Sequence, residues 1–191
     1  MRRIASWLWG GALAFGLFTL GCPIAAHAQV SVSLETGQLL ANDGLRPGQY
    51  RWQPEAASAV GQLSIVVSTS LQRAYVFRGS TLIGVSTAST GQPGYDTPTG
   101  RFTILEKQVF HRSSLYDDAP MPFMQRLTWD GVALHAGPIP QSGEPVSHGC
   151  IRLPRAFAQR LYGMSAVGTV VLVTDASPER PEEALTLASA G

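Results

Sequence analysis

The chain has 191 residues with 14 Lys+Arg, 13 Asp+Glu and a formal charge of +1, so it lacks the basic excess of proteins that coat nucleic acid. Its length predicts one domain, and its 45% hydrophobic content excludes an intrinsically disordered chain. The 20 Gly and 13 Pro predict many turns and therefore a β-rich fold.

Residues 1–28 have the three parts of a secretory signal peptide. Arg2 and Arg3 form the charged start, residues 7–20 form an apolar run, and Ala26-His27-Ala28 offers a small-residue cleavage site. The run is too short to span a membrane comfortably, and no later segment approaches about 18 apolar residues. The sequence therefore predicts an exported, periplasmic protein with no stable membrane span after cleavage.

The two cysteines have different fates on export. Cleavage after Ala28 removes Cys22 and leaves Cys150 as a single thiol in a compartment where disulfides are usual. An odd cysteine in a secreted protein indicates intermolecular pairing or a reactive thiol, and a buried, inert thiol is the alternative. Thr19-Leu20-Gly21-Cys22 also resembles a bacterial lipoprotein cleavage site, so a lipid anchor on Cys22 stays an alternative.

After the signal peptide, residues 29–60 predict an extended N-terminal arm, with Tyr50 and Trp52 docking on the domain that follows. Residues 61–176 predict a mostly antiparallel β domain, because short apolar runs alternate there with Gly, Ser and Thr turns. The first predicted strands are 63–67, 73–77 and 82–85, with a hairpin turn at Arg78-Gly79-Ser80 between the second and third.

A Gly/Pro-rich loop at 91–100 interrupts the strands, and it lacks the Lys that follows the last Gly of a phosphate-binding loop. Residues 109–122 are polar and long enough to form a flap over a site. This flap contains a lone His111, which we expect in solvent. The remaining predicted strands are 101–108, 123–129, 132–135 and 169–174, with an Asp130-Gly131 turn joining the middle two.

One helix is predicted in the domain. Pro154 suits its first position, and Phe157, Leu161 and Met164 follow at the spacing of one helical face. The tail, residues 177–191, is rich in Pro, Glu and Ala, and we expect it to be flexible, either frayed or weakly helical.

The densest chemical signal is Ser147-His148-Gly149-Cys150-Ile151-Arg152, with a second histidine, His135, closing a predicted strand upstream. A cysteine nucleophile reacts as its thiolate, and a nearby imidazole supplies the thiolate by taking the proton and remaining as the counter-cation. The imidazole needs a partner on its other nitrogen to fix its tautomer. Gly149 lacks a side chain, so backbone N–H groups can converge where an oxyanion forms.

His135 and this hexapeptide together resemble the signature of the bacterial L,D-transpeptidase catalytic domain. Thr97-Pro98-Thr99-Gly100-Arg101-Phe102 and Met121-Pro122-Phe123 also resemble that family, and the resemblance runs from about residue 63 to residue 174. It implies a β-sandwich-like fold with one main helix after the catalytic loop. It also implies an exported enzyme that acts on peptidoglycan stem peptides.

The resemblance implies a role for each motif residue. Cys150 is the implied nucleophile, attacking the carbonyl between a diamino acid and the terminal D-Ala of a donor stem, and His135 is the general base. The Ala136 carbonyl orients His135, and the Gly149 N–H contributes to the oxyanion hole. D-Ala leaves, and an acceptor amine converts the thioester into a 3→3 cross-link. The implied substrate-binding residues are Ser147, His148, Arg152, Met121, Phe123 and Tyr116, and neither a cofactor nor a metal is implied.

Several alternatives stay open at this stage. Ser147, His148 and Arg152 suit structural support of the loop as well as substrate contact, and Tyr116 and Phe123 suit packing of the flap.

A hydrolase would resolve the same thioester with water, and a cell-wall binding module would need neither His135 nor Cys150. Papain-like peptidases place Cys before His, the reverse of the order here, and no His or Cys pair has zinc-finger spacing. The sequence leaves the diamino acid, the acceptor and the oligomeric state open.

Overall fold

The computed structural model describes residues 44–53 and 58–189. The predicted signal peptide, Cys22 and the first part of the N-terminal arm lie outside the described residues. The described strands are β1 (Tyr50–Trp52), β2 (Leu63–Ser68), β3 (Arg73–Arg78), β4 (Thr81–Thr87), β5 (Gly100–Thr103), β6 (Glu106–Gln108), β7 (Met124–Arg126), β8 (Ala133–Ala136), β9 (Ile151–Leu153) and β10 (Val170–Thr174). The described helices are α1 (Arg155–Met164) and α2 (Pro181–Ser189).

The strands form two sheets, a six-stranded sheet in the order β1-β4-β3-β2-β10-β5 and a four-stranded sheet in the order β6-β7-β8-β9. Most neighbouring pairs are antiparallel, and the β2–β10 and β8–β9 pairs are parallel. Apolar side chains of both sheets and of α1 share one buried cluster. This arrangement confirms the predicted mainly β, sandwich-like fold with one main helix after the cysteine motif.

Helix α1 closes one side of the shared core. Its buried side chains are Phe157, Ala158 and Leu161, which lie on one face at helical spacing. The aromatic rings of Tyr50 and Trp52 on β1 pack against Phe157, with ring centroids 5.7 Å and 5.3 Å away. The predicted docking of these two arm residues is therefore confirmed. Pro154 is the N-cap of α1, one position before the first helical residue.

The predicted strand over residues 101–108 is wrong, because the chain changes sheets within it. Strand β5 pairs with β10 in the large sheet, whereas β6 pairs with β7 in the small sheet. The crossing occurs at consecutive amides: the Ile104 N–H donates to Thr169 O, and the Leu105 N–H donates to Arg126 O. Alternating side chains along this segment therefore face different partners before and after the crossing.

Two other expected boundaries also change. The strand expected over 123–129 shortens to β7, because Phe123 has a φ of +56°, outside the β region. In the tail, the helical alternative is the one observed: α2 forms there, and Ala184 of this helix is buried in a second apolar cluster with Val66 and Phe77. The apolar contact of α2 with the outer face of the large sheet holds this helix in place.

The packing of β1 on β4 predicts a stability difference between two glycines. A Cβ on Gly84 would lie 2.6 Å from Trp52 Cε3 and 3.2 Å from Phe157 Cε2, whereas a Cβ on Gly163 of α1 meets nothing within 4 Å. We expect Gly84→Ala to lower the free energy of unfolding by about 1–3 kcal/mol because the ring must move. We expect Gly163→Ala to raise it by about 0.5–1 kcal/mol, since alanine favours the helix. Urea denaturation measures both, and equal changes would contradict the packing described here.

Candidate active site

The parallel pair β8–β9 positions the predicted catalytic residues. Its register aligns Leu134 with Ile151, His135 with Arg152, and Ala136 with Leu153. Successive side chains of a strand point to opposite faces, so the side chains of β8 and β9 form two sets, one on each face of the strand pair. The set facing the shared apolar core consists of Leu134, Ala136, Ile151 and Leu153.

The opposite set faces a cavity of about 500 Å³. It contains Ala133 and His135 from β8, Arg152 from β9, and Cys150 immediately before β9. The structure therefore brings His135 and Cys150 to the same cavity, as the sequence predicts. The motif residues Ser147 and His148 and the flap residues Tyr116 and Met121 line this cavity as well.

His135 is held by the backbone. Its side chain is only 7% exposed, and its Nδ1 lies 2.9 Å from the Ala136 carbonyl oxygen. Because a carbonyl oxygen only accepts, Nδ1 carries the proton and Nε2 is left as the basic nitrogen. Burial lowers the pKa of His135 to about 4, so the ring is neutral at pH 7. The Ala136 carbonyl thus lies where the orienting group was expected.

The Cys150 side chain is hydrogen-bonded to the backbone of the neighbouring turn and strand. Its Sγ donates to the Gly131 carbonyl oxygen at 3.4 Å, and the Ala133 N–H donates toward the sulfur. Burial raises the pKa of the thiol above its ordinary value. Together with the lowered pKa of His135, this favours a thiol and a neutral imidazole in the resting site. The thiolate that the chemistry needs would then form only when a substrate is attacked.

Ser147 fixes the shape of the motif loop. Its hydroxyl is buried, donates to the Cys150 carbonyl oxygen and accepts the Gly149 N–H at 3.1 Å. Gly149 itself has a φ of +103°, which L side chains rarely adopt, so glycine is required at this turn. The Gly149 N–H that was expected in the oxyanion hole is thus engaged within the loop in this structure.

The Thr97-Pro98 turn holds the motif loop from the other side. The buried Thr97 hydroxyl donates to the Gly149 carbonyl oxygen at 2.9 Å and accepts the Gly91 N–H at 2.8 Å. The backbone of Ser147 is bonded to Thr90 O and to the Gln92 N–H, each at 3.0 Å. The loop at 91–100 is therefore a structural support for the cysteine motif.

His148 joins two loops at the cavity mouth. Its ring stacks on Tyr116 of the flap, with centroids 4.6 Å apart at an interplanar angle of 24°. The Tyr95 ring also contacts it in a T-shaped arrangement, with ring centroids 4.6 Å apart. Tyr95 was not singled out from the sequence, since nothing local marks a loop tyrosine as a neighbour of the motif.

The flap residues differ in where they lie. Met121 packs with Met124 and Ala133 beside Cys150. Phe123 is not among the cavity-lining residues and packs against Tyr162 of α1 with ring centroids 5.9 Å apart, so the structure places it away from the predicted substrate position. Its positive φ turns the side chain out of the strand direction and toward α1.

His111, expected in solvent, lines the cavity, and its Nδ1 lies 2.8 Å from Gln108 Oε1. On the same flap, Leu115 lies close to the turn whose carbonyl binds the thiol. A Cβ on Gly131 would come within 3.3 Å of Leu115 Cδ1. No sequence motif around His111 or Leu115 predicts that either residue lies near Cys150.

Over residues 44–53 and 58–189, no group of three or more His, Cys, Asp or Glu side chains is arranged to hold a metal ion. In the same ranges, no helix is both long enough and apolar enough to cross a membrane.

The site can now be compared with known proteins. Residues 62–173 match the family model described as YkuD, the L,D-transpeptidase catalytic domain. The chain belongs to this family. Probable L,D-transpeptidase 3 of Mycobacterium tuberculosis is 36% identical to it over 106 residues, covering 48% of this chain and 39% of that protein.

Solved structures of L,D-transpeptidases have the same fold. The enzyme from Mycobacterium smegmatis has a TM-score of 0.55 and 28% identity, with 59% of this chain and 58% of that chain covered. L,D-transpeptidase 3 from M. tuberculosis, in complex with a faropenem-derived adduct, has a TM-score of 0.54 and 30% identity, with 59% and 60% covered. The chain thus spans less than two thirds of the length of these relatives.

The support of the motif by Thr97 predicts a difference between two threonines of one turn. Thr97→Val removes the hydroxyl bonded to Gly149 O and Gly91 N–H, leaving both buried groups unpaired. We expect a loss of about 1–3 kcal/mol in the free energy of unfolding. Thr99→Val, at an exposed position two residues later, is the control and should change stability by less than about 0.5 kcal/mol. Similar losses in both variants would contradict a supporting role for Thr97.

The neutral resting pair predicts the pH dependence of thiol alkylation. Because burial raises the thiol pKa, the rate of reaction with iodoacetamide should increase about tenfold per pH unit from pH 6 to beyond the ordinary thiol value of about 8.5. A stopped assay that follows the mass of the alkylated protein measures this profile. A rate plateau with its midpoint below pH 7 would instead indicate a thiolate–imidazolium pair in the resting protein.

Proposed function

We propose that this protein is an exported L,D-transpeptidase that uses Cys150 as its nucleophile and peptidoglycan stem peptides as its substrates. The observation that carries this proposal is the placement of His135 and Cys150 on the cavity face of one parallel strand pair. The family to which residues 62–173 belong gives the reaction class. Export is inferred from the signal-peptide pattern of residues 1–28 and from the location of peptidoglycan outside the cytoplasm.

Acylation begins from the neutral pair. His135 has a pKa of about 4 and Cys150 a raised pKa, so proton transfer between them in the resting site is unfavourable. The transfer is therefore coupled to attack: the Cys150 Sγ–H leaves its bond to Gly131 O, and its proton passes to His135 Nε2. At the same time a new bond forms between Sγ and the carbonyl carbon of the diamino acid residue.

The developing oxyanion needs backbone donors near Cys150. With the Gly149 N–H donating to Ser147 Oγ, the Cys150 N–H is the proposed principal donor. The Cys150 N–H shares its peptide plane with the Gly149 carbonyl, which accepts a hydrogen bond from the Thr97 hydroxyl. The Ser147 hydroxyl holds the next peptide plane through the Cys150 carbonyl. The proposed role of these two hydroxyl groups is thus to orient the backbone on both sides of Cys150.

Breakdown of the tetrahedral intermediate expels D-Ala. The C–N bond breaks, the leaving amine takes the proton from His135, and a thioester remains on Cys150. An acceptor amine then attacks the thioester carbon and gives a proton to His135, which returns it to the departing sulfur. The products are a new amide between two stems, a 3→3 cross-link, and the original thiol.

The acyl-enzyme can be tested with a carbapenem or with faropenem, since an M. tuberculosis L,D-transpeptidase 3 structure carries a faropenem-derived adduct. We expect the wild-type protein to gain the mass of one inhibitor-derived adduct, and Cys150→Ala to gain none, because the acylated sulfur is absent. Intact-protein mass spectrometry measures this. An adduct of equal yield on the alanine variant would show that Cys150 is not the nucleophile.

The products of the reaction separate transfer from hydrolysis. Purified tetrapeptide muropeptides incubated with the wild-type protein should give cross-linked dimers together with free D-Ala. His135→Ala should give neither, since it lacks the base, while its circular dichroism spectrum stays that of the wild type. Tripeptide products without dimers would replace the proposed transfer with hydrolysis of the same thioester.

A further inference from the structure

Arg152 lines the same cavity as the two proposed reacting groups. The β8–β9 register places it opposite His135, and it follows Cys150 by two positions, so all three side chains lie on the cavity face. Its charge acts on both groups. It adds to the burial that lowers the pKa of His135, and it partly opposes the burial that raises the pKa of Cys150. The guanidinium is therefore within electrostatic reach of the reacting atoms.

The Arg152 side chain has no counter-ion in the described part of the chain. The other arginine that lines the cavity, Arg126, is bonded to Glu106 with Nε 2.8 Å from Oε2. Asp117 of the flap also lines the cavity, but no ion pair joins it to Arg152 within residues 44–53 and 58–189. Within the described residues, the guanidinium of Arg152 is therefore available to an anion that enters the cavity.

The position of Arg152 is set by its backbone and its aliphatic stem. Its N–H donates to Ser89 O at 2.9 Å, and its carbonyl oxygen accepts the Ser89 N–H at 3.0 Å. The stem lies against Gly137, where a Cβ would come within 3.0 Å of Arg152 Cγ and 3.1 Å of Cδ. The absence of a side chain at Gly137 thus creates the space through which the arginine extends along the cavity wall.

A fixed, unpaired guanidinium in a partly buried cavity is suited to a carboxylate, because its planar N–H groups match the two oxygens. We propose that Arg152 binds a carboxylate of the donor stem next to the scissile bond and thereby selects stems that carry it. This inference rests on the proposed function. A tetrapeptide donor offers two such carboxylates: the main-chain carboxylate of the terminal D-Ala, and the free carboxyl group of an acidic diamino acid.

The selectivity can be measured as binding, without turnover. Cys150→Ala protein is titrated calorimetrically with three synthetic tetrapeptides: the free acid, its C-terminal carboxamide, and a peptide whose diamino acid carboxyl group is amidated. Loss of a charge-assisted contact should weaken binding of one amidated peptide by about 10–150-fold relative to the free acid. Weakening by the C-terminal carboxamide identifies the terminal carboxylate, and weakening by the other amide identifies the diamino acid.

Substitution of Arg152 then tests whether this side chain causes the preference for the free acid. In Cys150→Ala/Arg152→Gln the free acid should bind about as weakly as the sensitive amide, and the two should no longer be distinguished. Arg152→Lys should recover only part of the preference, since an ammonium group lacks the bidentate fork. Arg160→Gln, an exposed position of α1, is the matched control and should retain the full preference. Thermal melting of each variant checks that it is folded.

Two results would overturn the inference. Equal binding of all three peptides to the Cys150→Ala protein would show that no carboxylate is recognised. Equal weakening of all three by Arg152→Gln would show that the arginine supports the cavity and does not select a carboxylate. The proposed function is tested by a different experiment: it would fail if the wild-type protein formed no acyl adduct on Cys150.

Discussion

The parallel register of β8 and β9 is the constraint on which the site depends. Because strand side chains alternate, one register assigns Leu134 and Ile151 to the core and assigns His135 and Arg152 to the cavity. Burial of the apolar set fixes the register, since a slip by one residue would expose it and bury the polar set. The packing energy of the core is therefore also what aligns His135 with the cysteine motif. The supporting loops, tied to this pair through Ser89 and Thr97, refine the alignment but do not create it.

Burial also sets the electrostatics of the pair. A carboxylate partner would raise the pKa of His135 and favour an imidazolium, whereas the Ala136 carbonyl fixes the tautomer with only partial charge. Desolvation is the largest influence on both groups, and it favours the neutral forms of His135 and Cys150. A neutral thiol hydrogen-bonded to Gly131 is less reactive toward oxidants and alkylating agents than a thiolate. On the proposed function, the sulfur becomes reactive only when a substrate carbonyl is present.

The features that could be predicted from the sequence are those whose patterns lie within a few neighbouring residues. The strands β2, β3 and β4 were predicted because each pattern and each turn lies within a few residues, and the roles of His135 and Cys150 were suggested by one dense motif. The change of sheet at Ile104 depends on partners at Thr169 and Arg126, which no local pattern reveals.

The supporting residues of the site were hidden for the same reason. Tyr95 and Gly131 reach the motif only through the fold, so nothing near them in the chain marks them. Phe123 lies next to a motif residue but turns toward α1 because of its positive φ, which composition does not indicate. Sequence patterns thus predicted the reacting groups, whereas the backbone groups that hold those residues are visible only in the tertiary structure.

The unpaired Arg152 connects substrate recognition to the chemistry of the neutral pair. Burial lowers the pKa of His135, and the positive charge of Arg152 adds to this effect, so both disfavour the imidazolium that the proposed acylation requires. A bound carboxylate would neutralise that charge and, as a nearby anion, raise the basicity of the imidazole. The same anion would oppose a free thiolate on Cys150, which favours proton transfer coupled to attack over prior ionisation. On the proposed assignment, a donor with the correct carboxylate therefore strengthens the base at the moment it is needed, and a donor without it leaves the pair in its resting state.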